Sequence, residues 1–226
     1  IRDVRKPPPR ENLHFWSGRI REVDAVKIAV LGTDSAAGKR TTAQLLRLAL
    51  VESGVAAEMV GTGQTAWMQG ARYSLLLDSL VNDFVTGEIE HAVWSAWHDR
   101  CPAAILIEGQ GSLTHPGYPG GFEILAAARP EAVVLQHVPG RSDYDGFPGW
   151  PLAPPEDHLT IIDRMLGREG VVAAVSLSHE GLSREETLRH RGELEERLGV
   201  PCCDPVEEGC GRILAALAAR FERLRP

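Results

Sequence analysis

The segment of this sequence with the most specific chemistry is a glycine-rich stretch that ends in a lysine. Residues 32–39, GTDSAAGK, have the G-x-x-x-x-G-K spacing of a phosphate-binding loop. Glycine is needed where the backbone turns tightly or approaches an oxygen, and the N–H groups of a following helix face the anion. The pattern indicates that the chain binds a phosphate-bearing ligand, and an ordinary turn between a strand and a helix is the alternative.

One position departs from the usual pattern of such loops. The hydroxyl residue that normally follows the lysine and ligates Mg²⁺ is replaced by Arg40. Either Thr41 supplies the hydroxyl one position later, or no metal is bound. The residues that we expect to bind the cofactor are Gly32, Thr33, Asp34, Ser35, Ala36, Ala37, Gly38, Lys39, Arg40, Thr41 and Thr42.

A carboxylate follows another predicted strand. Residues 103–107 are all apolar, and Glu108 comes directly after them. An acid at the tip of a buried strand beside a phosphate loop is the Walker B arrangement, in which it holds Mg²⁺ directly or through water. We therefore expect Glu108 in the site, as a metal ligand together with Thr41, and a strand-end carboxylate in water is the alternative.

Polar residues follow two further predicted strands. The sequence GTGQT follows residues 56–60, at the rim where open parallel sheets bind ligands, and a plain glycine turn is the alternative. His137 and Arg141 follow residues 132–136. Arg141 is suited to clamp a carboxylate through two hydrogen bonds, and the alternative is a surface salt bridge. In the loop after Glu108, His115 is a candidate acid or base or only a surface histidine.

The elements that position these residues alternate between short strands and helices. Predicted strands cover residues 26–31, 56–60, 103–107, 132–136 and 171–175. Predicted helices follow Lys39 up to Gly54 and cover residues 75–97, with Gly87 as a candidate break, 183–199, behind a capping box, and 207–224. This order predicts an α/β fold with a doubly wound, mostly parallel sheet, similar to P-loop NTPases.

Two segments fall outside this alternation. Residues 1–25 contain Pro7-Pro8-Pro9, and this proline run predicts an extended surface arm that links to a missing preceding domain. Residues 26–226 are then expected to form the P-loop domain. Residues 138–157 are rich in proline and glycine and carry aromatic residues, which predicts a folded lid or a contact to another domain.

Composition limits the classes of partner. The chain has 226 residues, a net charge of −7 and a pI near 5.6, so nucleic acid is not the expected partner. No apolar run is long enough to span a membrane, and the four cysteines lack metal-binding spacing. We expect a cytoplasmic protein with reduced thiols, no membrane partner and assembly into a homo-oligomer.

Together these motifs resemble the C-terminal P-loop domain of a bacterial family, long of unknown function, that includes D-glutamate N-acetyltransferases. The resemblance rests on GTDSAAGKRTT, GTGQT, NDFVTG, IEGQGSLTHP and the pair His137 and Arg141. It implies transfer of an acetyl group from acetyl-CoA to the amine of a small amino acid such as D-glutamate. Members of the family usually carry a smaller Rossmann-like domain before this one, which agrees with the missing N-terminal domain.

The resemblance also implies roles for individual residues. The loop would hold CoA phosphates, Glu108 or His115 would take a proton from the attacking amine, and backbone N–H groups near Gly109 to Gly111 would bind the oxyanion. The catalytic residues in this interpretation are Lys39, Glu108 and His115. The residues that would bind the substrate are Gly63, Gln64, Thr65, Gln110, Gly111, Ser112, His137 and Arg141.

Two other interpretations stay open. The chain has a more distant similarity to dethiobiotin synthetase and the cobyrinate amidases, which activate a carboxylate with ATP and Mg²⁺; Thr41 and Glu108 would then hold the metal, and Lys39 would bridge phosphates. Arg40 departs from that pattern, and Ser178 stands where those enzymes tend to have an asparagine. The third interpretation is a nucleotide-binding regulatory module without catalysis.

Overall fold

A parallel sheet forms the centre of the molecule. The computed structural model of the chain describes residues 3, 5–167 and 170–225, and within them the sheet has seven strands in the order 3-2-4-1-5-6-7. All the strand pairings are parallel. The strands β1 to β7 are Val26–Gly32, Ala57–Gly61, Tyr73–Ser74, Ala104–Glu108, Ala132–His137, Val171–Leu177 and Cys202–Cys203. The predicted doubly wound α/β fold is confirmed.

Helices cover both faces of the sheet. The helices α1 to α7 are Lys39–Glu52, Gln64–Met68, Asn82–Arg100, Phe122–Ala128, Pro155–Leu166, Arg184–Leu198 and Gly211–Arg220. Alternate residues of β1 pack into two hydrophobic clusters, with Ile28 and Val30 in one and Ala29 and Leu31 in the other. The first cluster contains α1 and α7, and the second contains α3, α4 and α5. Burial on both faces explains why β1 is apolar apart from Lys27.

The register of the sheet brings the predicted site residues together. Strand β1 lies between β4 and β5, with Val30 opposite Glu108 and Gly32 opposite Gln136. In a parallel sheet all the carboxyl ends lie at one edge, so the segments that follow β1, β2, β4 and β5 meet there.

Two helix predictions were wrong in their boundaries. The helix predicted over residues 75–97 begins only at Asn82, because the N–H groups of Leu75 and Leu77 donate to the carbonyl oxygens of Gly61 and Thr62 and not along a helix. The helix predicted over residues 207–224 covers Gly211–Arg220, because the segment before it forms a turn whose N–H groups bond to the carboxylate of Asp204.

The sequence had predicted an extended N-terminal arm, but the arm is not extended throughout. It forms short 3₁₀ turns at Arg10–Asn12 and Arg19–Glu22, and Ile20 is buried. The carboxylate of Glu90 on α3 accepts hydrogen bonds from the N–H groups of Ser17, at 2.6 Å, and Ile20, at 3.1 Å. The arm therefore packs on α3. The division of the chain into an arm of residues 1–25 and a domain of residues 26–226 stays a prediction. Residues 1, 2 and 4 of the arm and residues 168, 169 and 226 of the domain lie outside the described residues.

Gly87, which the sequence offered as a candidate break, does not interrupt α3. A Cβ atom at this position would lie 1.9 Å from the carbonyl oxygen of His14. The absence of a side chain therefore lets the arm approach the helix backbone. Across the described ranges, no helix is both long and apolar enough to cross a membrane.

The segment of residues 138–157 is folded onto the loop after β4. Its residue Tyr144 is buried, and the Tyr144 hydroxyl donates to the Oγ1 atom of Thr114 at 2.8 Å. Phe147 lies edge-on to the ring of His115, with the ring centres 5.1 Å apart. The last three residues of the segment, 155–157, form the start of α5.

Candidate functional site

A cavity of about 890 Å³ opens at the carboxyl edge of the sheet. Its walls are the phosphate loop, the start of α2, the segment after β4 and the segment before α3. The structure brings most of the predicted site residues to this cavity, namely Ser35, Ala36, Ala37, Gly38, Lys39, Arg40, Thr41, Gly63, Gln64, Thr65, Glu108, Gln110 and Gly111. Of the remaining predicted residues, Gly32, Thr33, Asp34, Thr42, Ser112, His115, His137 and Arg141 do not line it.

Lys39 is the first residue of α1, and its ammonium group folds back over the loop. Its Nζ atom donates to the carbonyl oxygen of Asp34 at 2.6 Å. Gly38 has a φ of +103°, which favours glycine, and a Cβ at Gly32 would lie 2.9 Å from the Lys39 side chain. Burial lowers the pKa of Lys39 to about 8. An anion in the loop would restore the charge of the lysine by pairing with it.

Glu108 lies beside the phosphate loop and is only 5% exposed. Its Oε2 atom accepts a hydrogen bond from the Thr62 N–H at 3.0 Å, and the Thr62 hydroxyl donates to the Glu108 carbonyl oxygen at 2.9 Å. Burial raises the pKa of Glu108, and the Thr62 N–H and the positive charge of Arg40 oppose that rise. A carboxylate with a raised pKa is a stronger base.

Arg141 lies behind the phosphate loop. Its Nη1 atom donates to Asp34 Oδ2 at 2.7 Å and to the Ser35 carbonyl oxygen at 2.9 Å. Its Nε and Nη2 atoms donate to Glu180 at 3.0 and 2.8 Å. Two carboxylates therefore offset the charge of Arg141, which favours the ion-pair alternative. Binding of a substrate carboxylate by Arg141 stays a prediction.

His115 is buried and holds the loop around it. Its Nδ1 atom accepts hydrogen bonds from the N–H groups of Gly117, at 3.0 Å, and Tyr118, at 2.9 Å, which places the ring proton on Nε2. Nε2 lies 3.6 Å from Asp34 Oδ1 and has no hydrogen-bond partner among the described residues. Burial lowers the pKa of His115. Its predicted catalytic role is untested, and its position outside the cavity favours a structural one.

Three predicted residues form a buried layer under the loop. The Thr33 hydroxyl lies 2.9 Å from Nδ1 of His137, and the Thr42 hydroxyl donates to the side-chain oxygen of Gln136. Burial lowers the pKa of His137 to about 4, so its ring is neutral at pH 7. These contacts fix the loop to β5 and leave none of the three side chains in the cavity.

The donors around the cavity are compatible with Mg²⁺ only if the ligand contributes oxygens. Thr41 and Glu108 both line the cavity, and their hydroxyl and carboxylate oxygens are ligands that Mg²⁺ accepts. Within the described part of the chain, no group of three or more His, Cys, Asp or Glu side chains is arranged to hold a metal. Phosphate oxygens and water would have to complete the coordination.

Sequence reasoning missed several residues of the site. Thr62 holds Glu108 and also accepts a hydrogen bond from Gln110 at 3.0 Å, and its place in GTGQT was the signal for it. Leu77 and Leu80 line the cavity, although their spacing had predicted part of a helix, and Asn82 lines it as the first residue of α3. No local signal marked Glu180, which lies 39 positions beyond Arg141.

Fold and loop geometry together define a P-loop α/β protein. More narrowly, the chain belongs to the family described as "Domain of unknown function (DUF1611_C) P-loop domain", whose pattern it matches over residues 14–214. This confirms the family resemblance that the motifs carried.

Two curated relatives are named D-glutamate N-acetyltransferase. The relative from Tritonibacter scottomollicae is 30% identical over 193 residues, which are 84% of this chain and 57% of the relative. The relative from Pseudoalteromonas sp. is 27% identical over 219 residues, which are 95% of this chain and 64% of the relative. The chain thus spans less than two thirds of the length of these relatives.

Two solved structures are similar to the chain. The crystal structure of a DUF1611 family protein from Anabaena variabilis is 28% identical with a TM-score of 0.86, covering 96% of this chain and 64% of that one. A nucleotide-binding protein from Archaeoglobus fulgidus in complex with ADP is 12% identical with a TM-score of 0.56, covering 92% of this chain and 93% of that one. The second similarity supports the fold alone.

Proposed function

We propose that the chain is the phosphate-binding part of an N-acetyltransferase that transfers the acetyl group of acetyl-CoA to the amine of a D-amino acid such as D-glutamate. The observation that carries the proposal is the position of Glu108, a buried carboxylate with a raised pKa in the same cavity as Lys39. The names of the two curated relatives support the substrate class.

The reaction needs a cradle for CoA and a base for the amine. Lys39 and the N–H groups at the start of α1 would hold the CoA diphosphate. The lone pair of the neutral amine forms the new C–N bond at the thioester carbonyl, the C–S bond breaks, and its electron pair leaves with the CoA sulfur. Glu108 takes the proton that the amine loses, which then passes to the thiolate.

Only part of the backbone after β4 is free to bind the oxyanion. The N–H of Gly109 donates to the Val30 carbonyl oxygen at 2.9 Å, and that of Ser112 donates to the Tyr118 carbonyl oxygen at 3.1 Å. In the described structure, the N–H groups of Gln110 and Gly111 have no such acceptor. We assign these two N–H groups to the oxyanion.

The second candidate is an ATP- and Mg²⁺-dependent carboxylate-activating ligase. The observation in its favour is that Thr41 and Glu108 line one cavity with the phosphate loop. Under this alternative Glu108 is a metal ligand, so binding of ATP depends on Mg²⁺ and Glu108→Gln removes that dependence.

The experiment is a titration of the purified protein with acetyl-CoA, and with ATP in the presence and absence of Mg²⁺, together with an assay of acetyl transfer to D-glutamate. We expect metal-independent binding of acetyl-CoA and acetyl transfer. Glu108→Gln should keep acetyl-CoA binding and lose turnover by roughly 10²–10⁴-fold. Glu123→Gln, which changes another acid of the cavity, is the matched control and should keep both. Magnesium-dependent ATP binding without acetyl-CoA binding would overturn the proposal, and ligand binding without turnover would favour a regulatory module.

A further inference from the structure

A second cavity adjoins the phosphate-binding one. It has a volume of about 570 Å³ and lies between α1, β2 and α2. Arg40, at the start of α1, lines both cavities. The short helix α2 separates them, because its residues Gln64 and Thr65 face the larger cavity while Ala66 faces the smaller one. Arg40 therefore lies where the two cavities adjoin, within reach of a ligand in either one.

The second cavity is strongly basic. Four arginines line it, with Glu58 as their single acidic neighbour in the lining: Arg40, Arg47, Arg72 and Arg100. Arg100 lies 3.6 Å from Glu58. Among the described residues, the other three arginines have no carboxylate within salt-bridge distance.

This concentration of positive charge in the second cavity contrasts with the net charge of the whole chain, which is −7. It also contrasts with Arg141, whose charge is offset by Asp34 and Glu180. Uncompensated guanidinium groups around a concave surface are suited to a phosphate, which they bind with paired hydrogen bonds.

Two of the arginines, Arg40 and Arg47, follow α1 away from the phosphate loop. Arg40, Gln44 and Arg47 lie at positions i, i+4 and i+7 of α1, so they share one face of the helix. Arg40 and Arg47 are separated by about 10 Å along the helix axis. The second cavity thus begins at the phosphate loop and continues beside α1 for roughly the length of a nucleoside.

Glu108 does not line the second cavity. Since the acceptor amine must reach Glu108, a small amino acid would occupy the larger cavity, and an anion among the arginines belongs to a more distant part of a long ligand. CoA has that form, because it carries a diphosphate on the 5′ position of its ribose and a separate phosphate on the 3′ position. ATP has phosphates on the 5′ position alone.

We infer that the arginine cavity binds the 3′-phosphate of CoA while the phosphate loop holds the diphosphate. This inference rests on the proposed function. Arg40 stands between the two phosphate positions, and Arg47 and Arg72 contact the 3′-phosphate.

The test compares CoA with dephospho-CoA, which lacks the 3′-phosphate, by titration of the protein and of the double variant Arg47→Gln/Arg72→Gln. The protein should bind CoA roughly ten- to a hundredfold more tightly than dephospho-CoA, the usual size for hydrogen bonds to a charged group. The double variant should lose most of this preference and keep its affinity for dephospho-CoA. Arg189→Gln, at an exposed arginine of α6, is the control and should change neither affinity.

Further probes separate failure of the inference from failure of the proposed function. Acetyl transfer with equal affinities for CoA and dephospho-CoA would overturn the inference and leave the proposed function standing. Tighter binding of adenosine 3′,5′-bisphosphate than of ADP, lost in the double variant, would support the cavity assignment even if no acetyl transfer occurred. A raised KM for D-glutamate in the double variant, with the CoA preference intact, would overturn the inference by placing an acceptor carboxylate in this cavity.

Discussion

The carboxylate of Asp34 and the guanidinium group of Arg141 form an ion pair at 2.7 Å across 107 positions of the chain. Asp34 is fully buried within the phosphate loop, and its Oδ2 atom also accepts a hydrogen bond from the N–H of Asp145 at 3.0 Å. The shape of the phosphate loop therefore depends on the segment that follows β5.

Removal of Arg141 should affect both the fold and the loop. Arg141→Ala leaves the Asp34 carboxylate buried without its cation, so we expect a loss of about 3–5 kcal/mol in the free energy of unfolding. Acetyl-CoA binding should weaken as well, because the loop loses its support. Urea denaturation and acetyl-CoA titration measure the two effects, with Arg189→Ala as the control. A higher KM for the amino acid alone would instead support a substrate clamp.

Replacement of Lys39 should remove most affinity for a diphosphate ligand. Lys39→Met eliminates the ammonium group and keeps an apolar chain of similar length, so the fold should be retained.

The pKa of Lys39, which is about 8 in the free protein, also predicts that the affinity for CoA depends on pH. Below pH 8 the lysine is charged and binds the anion, and above pH 8 binding requires uptake of a proton, so affinity falls as pH rises.

Titrations with CoA between pH 7 and 9.5 measure this dependence. The decline should approach tenfold per pH unit above the pKa of Lys39 and should be absent from the Lys39→Met variant. If the Lys39→Met variant bound CoA as tightly as the unchanged protein, residues 32–39 would be only a turn between β1 and α1.

The acetyl-transfer rate should depend on the ionisation of Glu108. A general base must be deprotonated, and the pKa of Glu108 is raised by its burial, so the rate should increase with pH through a value above 4.5 and then level off. Arg40→Gln should move this inflection upward, because it removes a positive charge that opposes the rise in pKa. The measurement is kcat/KM against pH, which reports ionisations of the free protein; an inflection that does not move in the variant would argue against Glu108 as the titrating base.

Gly87→Ala should loosen the N-terminal arm without changing the site. The new Cβ would lie 1.9 Å from the His14 carbonyl oxygen, so the arm must move away from α3, at a cost of about 1–3 kcal/mol. Gly192→Ala on α6 is the matched control, because nothing lies within 4 Å of its Cβ, and it should stabilise the chain slightly. Limited proteolysis should cleave the arm faster in the Gly87 variant alone, and equal rates in both variants would contradict the packing described.

The sequence was informative where structure is local. The apolar run of β1 and the glycine spacing of residues 32–39 depend on neighbouring residues, and both were found. The capping box at Ser183 and Glu186 likewise formed as predicted, and Gly199, with a φ of +66°, is the C-cap of α6.

Features set by distant pairing could not be predicted. Leu77 and Leu80 have helical spacing, but the start of this segment is held by the end of β2, which delays α3 to Asn82. Arg141 is suited to a ligand carboxylate in isolation, and only the folded chain places Asp34 and Glu180 beside it. The basic cavity has the same origin, since its arginines come from α1, from the position before β3 and from the end of α3.

The bond between the Thr33 hydroxyl and His137 joins residues 104 positions apart. Thr33 directly follows β1 and His137 ends β5, and these two strands are neighbours in the sheet. Contacts of such long sequence separation form slowly, because the intervening chain must be ordered before they are gained. The phosphate loop should therefore acquire its final shape late in folding. Binding of a phosphate ligand would then report completion of folding, and a nascent chain that ends before β5 would have the glycine motif but no binding activity.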